Sequence, residues 1–248
     1  MKLNPKIPDL EQLADLHSFD PNVFWDSNAQ VQRVCDLVLS MALIYNDFKD
    51  LWWAAYRLKR ATPDFQNNFH ETPAWGHVSG MDHHLHRRQV SILVEFRTLL
   101  DANRRTIESK FFQDILKKLQ KHPQVEWEQL RNPDSDLWRN LENIRDKISF
   151  HYYSTDREGR KVLQDGFRAA FENTGRKPLL SYGEDMLHTR FYFADAAAVE
   201  MDKLSRPIDW RKKLDEHTQQ VSLVISGVIL TFFEIRGAKL IKHKEASN

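Results

Sequence analysis

The chain has 248 residues, of which 41% are hydrophobic and 11% aromatic. This supply of apolar side chains excludes a largely disordered protein. The formal net charge of +1 excludes nucleic-acid binding by electrostatic attraction over the whole surface. Only 8 Gly and 9 Pro are present, and because turn-rich β architectures need more breaks than that, the composition predicts long helices.

The domain organisation follows from the distribution of polar and apolar residues. Residues 1–26 are predicted to form an irregular arm that is anchored by Phe24 and Trp25. Residues 27–236 show helical periodicity without a repeat or a long linker, which predicts a single all-helical domain. Residues 237–248 are predicted to be a frayed tail. We therefore expect an all-α helical bundle with long antiparallel helices and additional C-terminal helices.

The first predicted helix begins at Ser27 and Gln30, which have capping-box spacing. Apolar residues then recur at helical intervals up to Arg60: Val31, Val34, Val38, Met41, Tyr45, Phe48, Trp52 and Ala55. Further apolar residues, including Leu39 and Leu43, widen this stripe, so we expect the helix to be contacted on more than one side. The single cysteine, Cys35, cannot form an internal disulfide and is predicted to be a small buried hydrophobe in a reducing compartment.

Six more helices are predicted, over Met81–Ile107, Phe111–Lys121, a segment capped by Asp134 or Ser135, Lys161–Asn173, Phe191–Leu204 and Asp209–Ile235. Pro123 is predicted to interrupt the chain after the second of them. The longest apolar run, Val221–Phe233, has 13 residues and is too short to span a bilayer. The N-terminus lacks the apolar core of a signal peptide, so we expect no membrane association and a cytoplasmic location.

Positive charge is concentrated in residues 86–121, where nine Lys and Arg stand beside four Asp and Glu. The basic residues are Arg87, Arg88, Arg97, Arg104, Arg105, Lys110, Lys117, Lys118 and Lys121. The sequence therefore predicts one local basic patch on a nearly neutral protein.

One short motif carries candidate chemistry. Arg145 and His151 stand six residues apart on the capped helix, with Asp146 directly after the arginine. A similar spacing recurs in two other pairs, Arg211 with His217 and Arg236 with His243, so the spacing alone is not specific. The first pair differs because His151 falls on the inward stripe, seven residues after Ile144, and Arg145 lies at its edge.

The segment Ile144–Tyr152 resembles the signature of the HEPN superfamily, which comprises helical proteins of bacterial defence and toxin systems. In that signature an arginine and a polar residue are followed by a histidine a few positions on. The resemblance covers roughly residues 28–153, through the order of the helices as well as the motif. It implies a bundle that dimerises so that two copies of the motif face each other, and a metal-independent ribonuclease without a cofactor. The partners it implies are a second copy of the chain, RNA and a neutralising partner protein.

The chemistry of the motif suits RNA cleavage, which without a metal needs a base, an acid and a cation for the phosphorane. The resemblance assigns proton transfer to His151, charge stabilisation to Arg145 and orientation of one of them to Asp146. On an ideal helix, residues 145 and 151 lie about 120° apart around the axis and roughly 9 Å apart along it. A helix end near His151, or a second copy of the motif across a two-fold axis, is therefore needed to complete a site.

Two other interpretations stay open. His151 is also explained as a core-facing histidine bonded to a backbone group, with Arg145 in a structural ion pair. In addition, the same helical surface suits a non-catalytic interaction or ligand-binding module. RNA cleavage in the presence of a chelator separates the nuclease from both.

Five further residues are candidate substrate contacts. Tyr152 and Tyr153 can stack on bases. The alternative is that one of them packs in the core and the other is simply exposed at the surface. Glu95 can face the motif arginine from a neighbouring helix, or simply lie at the edge of a solvated face. Arg87 and Arg88 are expected to contribute to an anion-binding patch at a polar helix start.

A histidine-rich segment has helical metal-ligand spacings and comprises Asp82, His83, His84 and His86, with His77 upstream. Di-metal sites in four-helix bundles use paired Glu-x-x-His motifs, and the sequence contains none. We therefore expect this segment to be a polar helix start, with neither a metal nor a cofactor.

Overall fold

A computed structural model describes the backbone of residues 17–61, 73–131, 157–172, 191–205 and 210–242, with Trp138 and a few other isolated positions between them. This part of the chain contains eight α-helices, a 3-10 helix over Pro21–Phe24 and one two-stranded sheet. The helices are α1 (Ala29–Ala61), α2 (Pro73–Ala102), α3 (Arg104–Ile107), α4 (Lys110–Lys118), α5 (Lys121–Leu130), α6 (Arg157–Phe171), α7 (Tyr192–Ser205) and α8 (Trp210–Ile235). The strands are β1 (His17–Ser18) and β2 (Ile241–Lys242). The all-α class predicted from the sequence is confirmed.

The main core lies between α1, α2, α4, α5 and α8. Helix α8 packs against each of the other four, and α1 also packs on α2. The largest fully buried apolar side chains of the core are Trp127, Trp138, Phe96, Phe112 and Phe232. Helices α6 and α7 pack on each other, and α7 also packs on α2, so this pair adds a second layer against the outside of α2.

The N-terminus of α1 is capped by Asn28. Its Oδ1 accepts hydrogen bonds from the backbone N–H groups of Gln30, at 2.8 Å, and Val31, at 3.4 Å, which satisfies two donors of the first helical turn. The capping box predicted at Ser27 is therefore wrong by one residue. Asparagine caps as well as serine, so the local sequence offered two candidates.

Burial along α1 follows the predicted stripe only in part. Cys35 and Met41 are fully buried, as expected. Leu39, Leu43 and Trp52, however, are 48%, 65% and 70% exposed. The predicted stripe is therefore not buried at these three residues, because the neighbouring helices cover a narrower face of α1.

Helix α2 begins at Pro73, eight residues before the predicted start at Met81. Proline is well suited to the first helical position, where its missing N–H costs nothing. The helix ends at Ala102, and the short α3 follows after Asn103, whose side chain donates a hydrogen bond to the carbonyl of Leu99. The histidine-rich segment therefore lies inside α2, and its prediction as a polar helix start is wrong.

Pro123 does not interrupt the chain as predicted but lies in the first turn of α5, where a backbone donor is not required. It is buried against α8 at Gly227. A Cβ at Gly227 would lie 3.1 Å from the Cβ of Pro123 and 3.4 Å from Cδ2 of Leu119. Glycine thus allows α5 and α8 to approach closely at this point.

Helix α8 is the central helix of the core. By length and composition its segment Leu214–Ile235, 22 residues, is long and apolar enough to cross a membrane, a property that the core helix of a soluble protein shares. Its inward stripe is fully buried by the surrounding helices: Val221, Val224, Ile225, Val228 and Phe232. Burial of one apolar stripe is typical of the core helix of a bundle.

The two ends of the described chain are paired with each other. Strands β1 and β2 are antiparallel, with His17 opposite Lys242. Gly237, at a φ of +66°, follows α8 and turns the chain toward β2. Its N–H and that of Ala238 donate hydrogen bonds to the carbonyls of Glu234 and Phe233, in the last helical turn. The prediction of a frayed tail from residue 237 is therefore wrong as far as Lys242.

The N-terminal arm is held by Arg236, just after α8. Its guanidinium donates hydrogen bonds to the carbonyls of Val23, at 2.9 Å, and Trp25, at 2.8 Å, and to the carboxylate of Asp26, at 2.7 Å. Phe24 packs on two phenylalanine rings of α8, as predicted. The Trp25 side chain is 67% exposed, so its predicted anchoring role is wrong and only its backbone takes part.

Candidate functional site

The motif residues predicted to act on RNA lie outside the residues that the structure describes: Arg145, Asp146, His151, Tyr152 and Tyr153. In the chain they fall between Trp138 and the start of α6 at Arg157. Their roles stay predictions. On the N-terminal side of the motif, the structure describes the surroundings of Trp138.

Trp138, seven positions before Arg145, is only 1% exposed. Its indole Nε1 donates a hydrogen bond of 3.1 Å to the carbonyl of Leu130, the last residue of α5. The guanidinium of Arg97, on α2, lies 5.6 Å from the centre of the indole ring, within range of a cation–π interaction. The chain is thus fixed to α2 and α5 shortly before the motif.

A hollow of about 260 Å³ adjoins Trp138. Three arginines line it, Arg97, Arg104 and Arg131, together with Asp101 and Glu108. Asp101 is paired with Arg104 at 2.8 Å. The hollow therefore has a small excess of positive charge.

Basic side chains are also exposed along α3, α4 and the start of α5: Arg104, Arg105, Lys110, Lys117, Lys118 and Lys121. Among the acidic residues of this stretch, Glu108 is exposed and Asp114 lies 3.5 Å from Lys117. Basic residues outnumber acidic ones, so this surface carries net positive charge. It contains six of the nine residues of the predicted basic patch.

Arg87, Arg88 and Glu95 lie on α2, away from that surface. Arg88 and Glu95 are exposed and line a groove with Asp47 and Asp50 of α1. Arg87 is half-buried, and its Nε has no hydrogen-bond partner among the described residues. Since the groove holds three carboxylates and one guanidinium, it does not favour the anion binding expected of Arg88.

The histidine-rich segment does not converge on one point. His83 is 2% exposed, whereas His84 is exposed. Partial desolvation, followed by the nearby charge of Arg87, lowers the pKa of His84. His86 is half-buried, and its Nδ1 lies 2.7 Å from the carbonyl oxygen and 3.5 Å from the carboxylate of Asp82.

Metal ligation by this segment would need at least three converging ligand side chains. The side chain of His77 lies outside the described residues, although its backbone belongs to α2. Within the described part of the chain, no group of three or more His, Cys, Asp and Glu side chains is arranged to hold a metal ion.

A cleft where α1, α2 and α8 meet brings together polar groups that sequence reasoning did not connect. Its volume is about 160 Å³. The polar and aromatic side chains that line it are Phe48, Trp52, Tyr56, Asp82, His86, Gln89, Asp215 and Thr218. A wider groove of about 510 Å³ continues along α1 and α8 and shares Trp52, Gln89 and Asp215 with the cleft.

Gln89 organises the polar side of this cleft. Its amide donates hydrogen bonds to Oδ1 of Asp215, at 3.2 Å, and to Oγ1 of Thr218, at 2.8 Å. The Thr218 hydroxyl in turn donates to the carbonyl of Leu214, at 2.9 Å. Gln89 and Asp215 are 126 residues apart, so no local pattern could have found this arrangement.

Comparison of the chain with protein-family models, with curated proteins and with solved structures found no match. Any functional conclusion therefore depends on the residues and their geometry.

Proposed function

We propose that this protein is an HEPN-like, metal-independent endoribonuclease that acts in the cytoplasm as a homodimer, in a bacterial defence or toxin–antitoxin system. The observation that carries the proposal is the Arg145–Asp146–His151 motif in an all-α chain. A neutralising partner protein is part of the same proposal.

In the proposed reaction His151 transfers the proton between the ribose 2′-OH and the leaving oxygen, since imidazole titrates near neutral pH. Arg145 donates parallel hydrogen bonds to the phosphoryl oxygens as negative charge develops on them. Asp146 orients one of these two groups. In the dimer, His151 of one protomer and Arg145 of the other act at the same phosphodiester, so that each dimer holds two sites.

The described surface supports RNA as the substrate. The three arginines of the hollow beside Trp138 and the lysines of α4 and α5 provide cations on the part of the chain that leads to the motif. Contacts to phosphate of this kind add affinity without sequence preference. They suit an enzyme whose chemistry acts on the RNA backbone.

The test is cleavage of a single-stranded RNA oligonucleotide by the purified protein in EDTA. We expect His151→Ala to lower the rate about 10²- to 10⁴-fold, the range that general acid–base groups contribute. His217→Ala is the matched control because it removes a histidine with the same spacing from an arginine. Cleavage by His151→Ala at the unchanged rate would overturn the proposal, whereas loss of its folding alone would favour a structural role.

A mixing experiment tests the paired motifs. If one site takes His151 from one protomer and Arg145 from the other, a mixture of inactive His151→Ala and Arg145→Ala chains regains activity. Half of randomly formed dimers are mixed, and each holds one intact site, so on the order of a quarter of the wild-type rate is expected. No recovery in mixed dimers, verified by light scattering, would refute the shared site.

A second candidate function, a non-catalytic ligand-binding module, is favoured by the cleft between α1, α2 and α8. Its polar groups converge from three helices, which is typical of small-molecule sites. RNA cleavage and ligand binding are measured in separate assays, so the result for one candidate function does not decide the other.

A further inference from the structure

The cleft between α1, α2 and α8 has a definite charge. Two carboxylates line it, those of Asp82 and Asp215, and among the described residues the other titratable side chains of the lining are His86 and Tyr56. Lys49 lines the wider groove next to it. An anionic ligand would meet the negative charge of Asp215 here, and an apolar ligand would desolvate that carboxylate.

Asp215 is oriented by an uncharged partner. Gln89 fixes its Oδ1 by a hydrogen bond of 3.2 Å, and among the described residues no Lys or Arg lies within ion-pair distance of it. Because Gln89 also donates to Thr218, the carboxylate is held at the wall of the cleft by a network that spans two helices. A carboxylate held in this way is prepared for a cation.

Trp52 supplies an aromatic surface to the same cleft. It is 70% exposed and lines both the cleft and the wider groove. The adjacent Trp53 already holds a cation, because the guanidinium of Arg57 lies 4.2 Å from its ring centre. Trp52 thus lines the same cleft as Asp215, and the face of an indole ring attracts organic ammonium ions.

We propose that this cleft binds a small organic cation, an alkylammonium or alkylguanidinium ion. The charged head sits between Asp215 and Trp52, and the tail lies in the wider groove. A volume of about 160 Å³ is small for a drug-sized ligand and suits such a head group. The proposal names a ligand class for the second candidate function and is independent of RNA cleavage.

The test is calorimetric titration of the full chain with butylammonium, butylguanidinium and the neutral analogue 1-butanol. We expect a dissociation constant on the order of 1 mM for one of the cations, as small ligands allow, and at least tenfold weaker binding of 1-butanol. Asp215→Asn keeps the acceptor for Gln89 but removes the charge, and should weaken cation binding at least tenfold. Trp52→Ala, at an exposed position that tolerates truncation, should weaken it several-fold.

Two matched variants control for unspecific effects. Glu216→Gln removes the neighbouring carboxylate, which lies 3.8 Å from Lys212 and does not line the cleft. Trp25→Ala removes an indole that is 67% exposed and also lies outside the lining. Both should bind the cation as the wild type does.

The proposal is overturned if neither cation saturates the protein, if 1-butanol binds equally well, or if Glu216→Gln weakens binding as much as Asp215→Asn. Should Asp215→Asn fail to fold, unchanged binding by Trp52→Ala overturns it. A further titration with N-acetyl-arginine methylamide identifies the source of the cation. Tighter binding than butylguanidinium indicates an arginine side chain of another protein, and weaker binding indicates a free metabolite.

Discussion

Replacement of Gly227 tests the close approach of α5 and α8. Alanine in place of glycine inside a helix stabilises it by about 1 kcal/mol. Here the new Cβ would lie 3.1 Å from the Cβ of Pro123, closer than the roughly 3.5–4.0 Å optimum between carbons. Overpacking of this kind costs about 1–3 kcal/mol, so we expect Gly227→Ala to lose about 1 kcal/mol of unfolding free energy on balance. Gly227→Leu, whose larger side chain also meets Leu119, should lose about 3 kcal/mol.

The assay is urea unfolding followed by circular dichroism. Pro123→Ala removes the proline Cγ, which would lie 3.3 Å from the new Cβ, so Gly227→Ala should be less destabilising in that background. A comparison of Gln219→Gly with Gln219→Ala, at an exposed position of α8, reports the glycine-to-alanine difference in helix propensity alone. If Gly227→Ala stabilises the protein by about 1 kcal/mol and Gly227→Leu changes it by less than about 0.5 kcal/mol, the close approach is refuted.

Three further predictions concern titrating groups. Desolvation and nearby positive charge lower the pKa of His84. Arg88→Gln removes one of these charges, so an NMR titration should show the pKa of His84 raised part of the way to 6.5. An unchanged pKa would contradict the electrostatic cause. Burial raises the pKa of the Cys35 thiol, so it should react with Ellman's reagent only on unfolding, and rapid labelling of the native protein would be evidence against its burial. Hydrogen bonds from the backbone N–H of Asn28 and from Arg236 lower the pKa of Asp26. The contribution of its carboxylate to stability is therefore present above pH 3.8 and is lost as the pH falls below that value. Asp26→Asn should make unfolding less sensitive to acid, and a pH profile identical to that of the wild type would count against this contribution.

Local periodicity was sufficient to predict most helices of the bundle. The stripe of α1 correctly placed Cys35 and Met41 in the core, because burial on a helix repeats with the helical turn. The early start of α2 was missed because residues 73–80 contain two glycines and little apolar periodicity. Pro123 was misjudged because proline breaks a helix in its interior but not in its first turn.

Features formed by residues distant in sequence were not predictable in this way. Periodicity shows which residues share a face of α1, but not that the neighbouring helices leave Trp52 exposed. The bond between Gln89 and Asp215 and the pairing of β1 with β2 depend on how the helices assemble. The motif at Arg145, by contrast, is known from the sequence alone, because its residues lie outside the part of the chain that the structure describes.

The pairing of β1 with β2 has a practical consequence for handling the protein. His17 and Lys242 are neighbours across the strand pair, so a label or tether on either strand is attached at the same end of the helical bundle. Trp52 is 23 residues from the start of α1 and Asp215 is 20 residues from the end of α8, which corresponds to about 35 Å and about 30 Å along the two helices. A tether at the exposed side chain of Ile241, on β2, would therefore hold the protein on a sensor surface with the cleft away from that surface.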